Sequence, residues 1–163
     1  MAAAAAATHD LATLKGFWLG RDIEWRRRLG LYPDAAAASG VSVERGRDRQ
    51  LLLDALAREG LLMPERFGQF LPQDGEPAYA PELGEAIHAY LARSRSRLML
   101  VQIEDIAGAC EQANLPGTTE AHPNWRRRLP SPLEALLAGP EMIRIAALLA
   151  ASRAQAAREA ERG

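Results

Sequence analysis

Apolar positions recur at helical spacing in several stretches of the chain. Leu83, Ala86, Ile87, Tyr90 and Leu91 follow Pro81 at i, i+3, i+4, i+7 and i+8, which predicts an amphipathic helix with proline in its first turn. Leu52, Leu53 and Leu56 ahead of Gly60 predict a second helix, with Ser42 as its cap and Glu44 in its first turn. Ala35–Gly40 reads as a linker or weak helix before it. A shorter helix is expected over Asp22–Leu29, broken by Gly30-Leu31-Tyr32-Pro33-Asp34. From Glu141 onward, Met142, Ile145, Leu148 and Leu149 predict a C-terminal helix. One run departs from this period. Residues 98–103 (Leu-Met-Leu-Val-Gln-Ile) are too short for a typical helix and suit a strand buried on both faces. Glu104 and Asp105 close that run and are placed to cap a helix near Ile106–Ala113. Prolines and glycines predict loops over 63–80 and 114–132. Alanine's propensity alone assigns Ala2–Ala7 to a helix.

Composition narrows the class. The chain has 163 residues, 48% hydrophobic and 25% charged, with net charge -1, as expected of an ordinary soluble domain. No apolar run approaches the roughly 18–20 residues of a membrane span, and no membrane partner is expected. The near-zero net charge argues against a dedicated nucleic-acid binder. Nineteen arginines stand against one lysine, Lys15, which reads as the codon bias of a GC-rich genome. Cys110 is the single cysteine, so a reducing compartment is favoured, and with no signal-peptide pattern the expected location is cytoplasmic. His9, His88 and His122 lack metal-ligand spacing, and there is no phosphate-binding glycine motif or nucleophile elbow. No metal and no cofactor is expected.

Three features carry candidate chemistry. Thr8-His9-Asp10 ends an apolar run, where parallel sheets and barrels build their sites, although the same pair also serves simply to cap a turn. Asn114-Leu115-Pro116-Gly117-Thr118, followed by His122-Pro123-Asn124-Trp125, mixes planar polar groups with aromatic surface, as sugar sites do. It would equally suit a packed loop around a tryptophan. Glu104-Asp105 offers paired carboxylates, and capping is the plainer role. Trp-Arg-Arg-Arg-Leu occurs at Trp25–Leu29 and Trp125–Leu129 with unmatched flanks, an echo expected by chance in an arginine-rich chain.

Taken in order, these motifs resemble a known family. Thr8-His9-Asp10-Leu11-x-Thr13-Leu14-x-Gly16-Phe17-Trp18, Leu29-Gly30-Leu31-Tyr32-Pro33, Glu104-Asp105, Asn114-x-Pro116-Gly117-Thr118 and Asn124-Trp125-Arg126-Arg127-x-Leu129 are similar to the C-terminal part of the 4-α-glucanotransferases, the amylomaltases of glycoside hydrolase family seventy-seven, over about residues 8–137. The resemblance implies an α/β fold, the C-terminal portion of an elaborated (β/α)8 barrel comprising about strands seven and eight with their helices. As an isolated chain it would be mostly helical, with residues 1–163 forming part of one catalytic domain. It implies retaining transfer of an α-1,4-glucan segment to the 4-hydroxyl of glucose or a maltooligosaccharide, through a glycosyl-enzyme intermediate. Three carboxylates would act: a nucleophile, an acid/base and a transition-state stabiliser. Asp10 matches the stabiliser and His9 a histidine bonding the same sugar. Asn114, Gly117 and Thr118 are the matched substrate-binding loop, and Glu104 and Asp105 match a structural pattern. On this reading Ala3–Thr8 becomes strand seven. A full barrel needs about 200 residues or more, so the nucleophile and acid/base are expected upstream of Asp10, and the missing N-terminal part of the barrel is an implied partner. The expected ligands are α-1,4-glucans and maltooligosaccharides.

The alternative from the residues themselves is a non-catalytic helical interaction module, with arginine-rich faces at the two Trp-Arg-Arg-Arg clusters and at Arg93–Arg97 recognising an acidic partner or RNA.

Overall fold

A computed structural model describes residues 2–160. Its helices are α1 (Leu14–Leu19), α2 (Arg21–Arg28), α3 (Ala35–Arg58), α4 (Phe67–Phe70), α5 (Pro81–Ala92), α6 (Ile103–Ile106), α7 (Leu133–Leu137) and α8 (Pro140–Ala160). Two short strands, β1 (Ala3–Ala5) and β2 (Leu98–Leu100), pair in parallel with Ala3 opposite Leu98 and Ala5 opposite Leu100. The chain is therefore mostly helical around one parallel strand pair.

Strand pairing overrides alanine's helix propensity at the N-terminus, because the β1 backbone finds hydrogen-bond partners in a non-local strand. The strands are shorter than the expected 3–8 and 98–103. Ile103 already opens α6, and β2 is not buried on both faces: Leu98 and Leu100 are exposed. The cause is sheet width. Among the described residues each strand has one strand neighbour, so side chains on one face and both outer edges meet solvent.

The helical expectations hold with three corrections. Asp34, not Ser42, starts the long helix. Its carboxylate accepts from the Ala37 amide at 2.7 Å, and the helix runs unbroken through the supposed linker. Ser42 lies inside α3, where its hydroxyl donates to the Ala38 carbonyl one turn back. The loop expected over 63–80 contains a 3-10 turn, Pro64–Arg66, running into α4, which delivers Phe70 to the core. The helix expected near Ile106–Ala113 is instead the single turn α6, ended by Gly108 at φ 66°.

Leu14, Trp18, Leu53, Leu56, Leu62, Phe70, Leu83, Ala86 and Ile87 form the core where α1, α3, α4 and α5 converge. Of these, Leu53, Leu56, Leu83, Ala86 and Ile87 belong to the apolar faces read from helical spacing, Leu14, Trp18, Leu62 and Phe70 join them from outside those faces, and Tyr90 is left at the surface. Burying each large side chain is worth about 1.5–3 kcal/mol, so this cluster anchors the segments that carry the polar surface. Trp18 also donates its indole N–H to the Phe70 carbonyl at 3.4 Å. Arg45 ties α3 to the preceding helices. It pairs with both Asp22 oxygens at 2.9 and 2.8 Å, donates to the Phe17 carbonyl and lies 4.1 Å over the Phe17 ring. No helix among the described residues is long and apolar enough to cross a membrane.

Candidate active-site face

The segment after β1 turns at Thr8–Leu11, with the Leu11 amide donating to the Thr8 carbonyl at 2.9 Å. Thr13 then fixes its exit. Its hydroxyl donates to the Ala109 carbonyl at 2.8 Å and accepts from the Gly16 amide, capping α1. Asp105 reaches the same helix end from α6, accepting from the Leu14 amide at 2.7 Å. Asp105 does cap a helix, but not the following one expected near Ile106–Ala113: it caps α1. Burial raises the Asp105 carboxyl above its ordinary range, against the lowering effect of the Leu14 amide and of His88.

Onto this turn folds the loop 114–125. The Asn114 amide donates to the His9 carbonyl at 3.2 Å, and the Asn114 side chain donates to Asp10 Oδ1 at 2.6 Å. His9 Nε2 lies 3.5 Å from Asp10 Oδ2. The His9 ring packs against Trp125 with centroids 5.2 Å apart and planes inclined by 47°. Asp10, His9 and Trp125 are all exposed. The face thus presents a half-hydrated carboxylate, an imidazole, a carboxamide and an indole side by side.

Asn124 organises the rest of the loop. Its Oδ1 accepts from the Leu115 amide at 2.9 Å and from His122 Nδ1 at 2.6 Å, and its Nδ2 donates to Thr118 Oγ1 at 2.9 Å. Since a carbonyl oxygen only accepts, the proton on His122 sits at Nδ1. Thr118 Oγ1 in turn donates to the Leu115 carbonyl at 2.7 Å. Of the expected substrate-binding residues, Asn114 meets Asp10 directly. Thr118 closes the loop on itself, and Gly117 supplies the turn at φ 88°. Trp125 holds φ 60°, a left-handed conformation that costs a non-glycine residue roughly 1–2 kcal/mol. The Ala113 carbonyl fixes it by accepting the Trp125 amide at 2.9 Å.

Behind the loop, the two Trp-Arg-Arg-Arg segments meet. Glu111 accepts from Trp25 Nε1 at 2.6 Å and Arg21 Nε at 2.5 Å, and pairs with Arg127 at 3.2 Å. The guanidinium groups of Arg21, Arg28 and Arg127 lie over the Trp25 ring, and His122 meets that ring edge-on at 5.0 Å. Burial works to raise the Glu111 carboxyl, but the hydrogen bonds from Trp25 and Arg21 outweigh it and hold the group below its ordinary range. One segment is helical and the other is loop, so the echo is a shared docking point and not a structural repeat. Sequence reasoning passed over Glu111, since a lone glutamate after Cys110 has no motif. The one available signal was the excess of Trp and Arg in search of an acceptor. Among the described residues no group of three or more His, Cys, Asp or Glu is arranged to hold a metal ion.

Comparison with known proteins points to one family. The glycoside hydrolase family 77 model, described as 4-alpha-glucanotransferase, matches residues 1–134. The 4-alpha-glucanotransferase of Haemophilus influenzae is 36% identical over 126 residues, 77% of this chain and 17% of that protein. The Mycobacterium tuberculosis 4-alpha-glucanotransferase is 34% identical over 125 residues, 77% of this chain and 16% of that one. The crystal structure of amylomaltase from Corynebacterium glutamicum superimposes with a TM-score of 0.73 at 27% identity, covering 90% of this chain and 21% of that chain. The chain thus spans about a sixth of the length of these relatives, and on the match over residues 1–134 it belongs to the 4-alpha-glucanotransferase family, glycoside hydrolase family 77.

Proposed function

We propose that this chain supplies one edge of the active site of an enzyme that transfers α-1,4-glucan segments between maltooligosaccharides with retention. In this reading residues 1–163 are the C-terminal part of a single (β/α)8 catalytic domain, β1 and β2 being strands seven and eight. The carrying observation is the hydrogen bond from Asn114 to Asp10, which fixes a carboxylate beyond the carboxyl end of β1, next to the His9–Trp125 pair. Barrel enzymes keep their chemistry at that end of the strands. Asp10 would stabilise positive charge developing on the transferred sugar and grip its hydroxyls. His9 would donate or accept at the same ring, and the Trp125 face offers apolar surface to a sugar.

The polar partners of Asp10 are His9 and Asn114, neither of them a second carboxylate. Retaining transfer needs a nucleophile and an acid/base about 5–5.5 Å apart, and among the described residues no second carboxylate is bonded to or paired with Asp10 on this face. The purified 163-residue chain is therefore expected to bind maltotriose weakly and to release no glucose from it. Mixing it with a polypeptide that carries the remaining strands and the two further carboxylates is expected to restore transfer, and Asp10→Asn is expected to abolish the restored activity. Glucose release by the chain alone, or full activity of the Asp10→Asn mixture, would refute the assignment.

A further inference from the structure

The arginine block Arg93–Arg97 takes no part in the glucan face. It links α5 to β2 and so lies at the amino-terminal end of the strand pair, whereas Asp10 lies beyond the carboxyl end. Arg153 from α8 crosses to it, donating through Nη2 to the Ser96 carbonyl at 2.8 Å and the Arg97 carbonyl at 3.2 Å. Together Arg93, Ser94, Arg95, Ser96, Arg97 and Arg153 line a pocket of about 540 Å³, completed by small alanines of α5 and α8. No carboxylate lines it. Glu59 offsets one cation from outside, 3.6 Å from Arg93. Among the described residues Arg95 and Arg97 make no ion pair.

Two donors on residues lining the pocket are unfilled. Arg93 Nε and Arg153 Nη1 are buried without an acceptor. A buried guanidinium N–H left unpaired is costly, and an anion with several acceptor oxygens is the group that relieves it. We propose that this pocket binds a phosphate dianion, as inorganic phosphate or as the phosphate group of a small phosphorylated metabolite. Guanidinium groups match phosphate oxygens in a bidentate fork. Both donors belong to arginines that line one concave site closed by α8. A nucleic acid would instead need a basic stripe along the surface, at odds with the net charge of -1.

The test titrates the full chain with inorganic phosphate at constant ionic strength, with sodium chloride as the matched control, read by amide shifts in nuclear magnetic resonance spectra. Saturable shifts confined to residues 93–97 and 153 are expected. The double substitution Arg95→Ala/Arg97→Ala, at exposed positions, is expected to weaken binding by at least about tenfold. Arg153→Lys keeps the charge but loses the fork, and is expected to weaken it as well. If Arg153→Lys fails to fold because the Ser96 and Arg97 carbonyls lose their donor, the Arg95/Arg97 pair still decides. Equal shifts with chloride, or unchanged affinity in the double variant, overturn the proposal. Tight binding of a single-stranded RNA oligomer that phosphate does not displace also overturns it, and makes this face a nucleic-acid interface.

Discussion

The Asn114 carboxamide donates to Asp10 Oδ1 at 2.6 Å, so two side chains 104 residues apart are bonded on an open surface. Because Asp10 is half exposed, water can replace the lost donor, and Asn114→Ala is expected to shift stability by no more than about 0.5 kcal/mol. Its effect falls on ligand binding, since the carboxylate is no longer held beside His9 and Trp125. Maltotriose affinity is expected to drop by roughly 3–10-fold, the value of one modest hydrogen bond. Asn114→Asp, which sets one carboxylate against another, is expected to be worse. Isothermal titration of both variants measures this, and equal affinity for wild type and Asn114→Asp would remove Asn114 from the site.

Helix positions were legible from apolar spacing because core packing and periodicity agree, as the burial of Leu83, Ala86 and Ile87 shows. The face itself was legible only as an ordered set of motifs. Nothing local in Thr8-His9-Asp10 says that Asn114 will arrive there, since that pairing is set by the parallel register of β1 and β2. Nor does the sequence around Trp125 announce a left-handed tryptophan, because that conformation is imposed by the Ala113 carbonyl and the Asn124 network. Exposure of Leu98 and Leu100 was missed for a different reason. An apolar run tells what a strand is suited to bury against, not how many strand neighbours it has.

Glu111 joins α2 to Arg127, just past the loop 114–125, and its removal is expected to loosen both. Glu111→Ala leaves the Trp25 indole N–H and Arg21 without their acceptor, at about 1–3 kcal/mol. Its pKa is depressed in the folded chain. The associated stability is present above the unfolded glutamate value of about 4.3 and is lost as pH falls through the lower folded value. Glu111→Gln is therefore expected to flatten the acid side of the stability curve, as followed by circular dichroism melts between neutral and acid pH. An unchanged acid limb would show that Glu111 is bystander and not anchor.

Asp105 is expected to behave with the opposite sign. Burial raises its folded pKa. The favourable contribution is present in full below the unfolded aspartate value of about 3.9 and is lost as pH rises through the higher folded value. Asp105→Asn keeps an oxygen to accept the Leu14 amide while removing the titration. This variant is expected to match or exceed the wild type at neutral pH, and to lose the decline that Asp105 imposes as pH rises from acid. Asp105→Ala also loses the cap and is expected to be destabilised by about 1 kcal/mol or more. If Asp105→Asn were as damaging as Asp105→Ala at neutral pH, the carboxylate charge and not the cap would be what α1 requires.

Two glycines offer substitutions of opposite sign. A Cβ at Gly16 would overlap the Cys110 carbonyl oxygen, a backbone atom with little freedom because the neighbouring Ala109 carbonyl is held by Thr13. Gly16→Ala must therefore push α1 away from the 109–110 segment, and is expected to cost about 1–3 kcal/mol, the scale of forced overpacking. Gly46 lies exposed within α3, and a Cβ there would meet nothing within 4 Å. Alanine restricts the unfolded chain at that position without strain in the helix, so Gly46→Ala is expected to add about 0.4–1 kcal/mol. Paired thermal melts of the two variants check both signs at once. A neutral Gly16→Ala would mean that the 109–110 segment yields, and with it the Thr13–Ala109 bond that sets where the chain leaves the Asp10 turn.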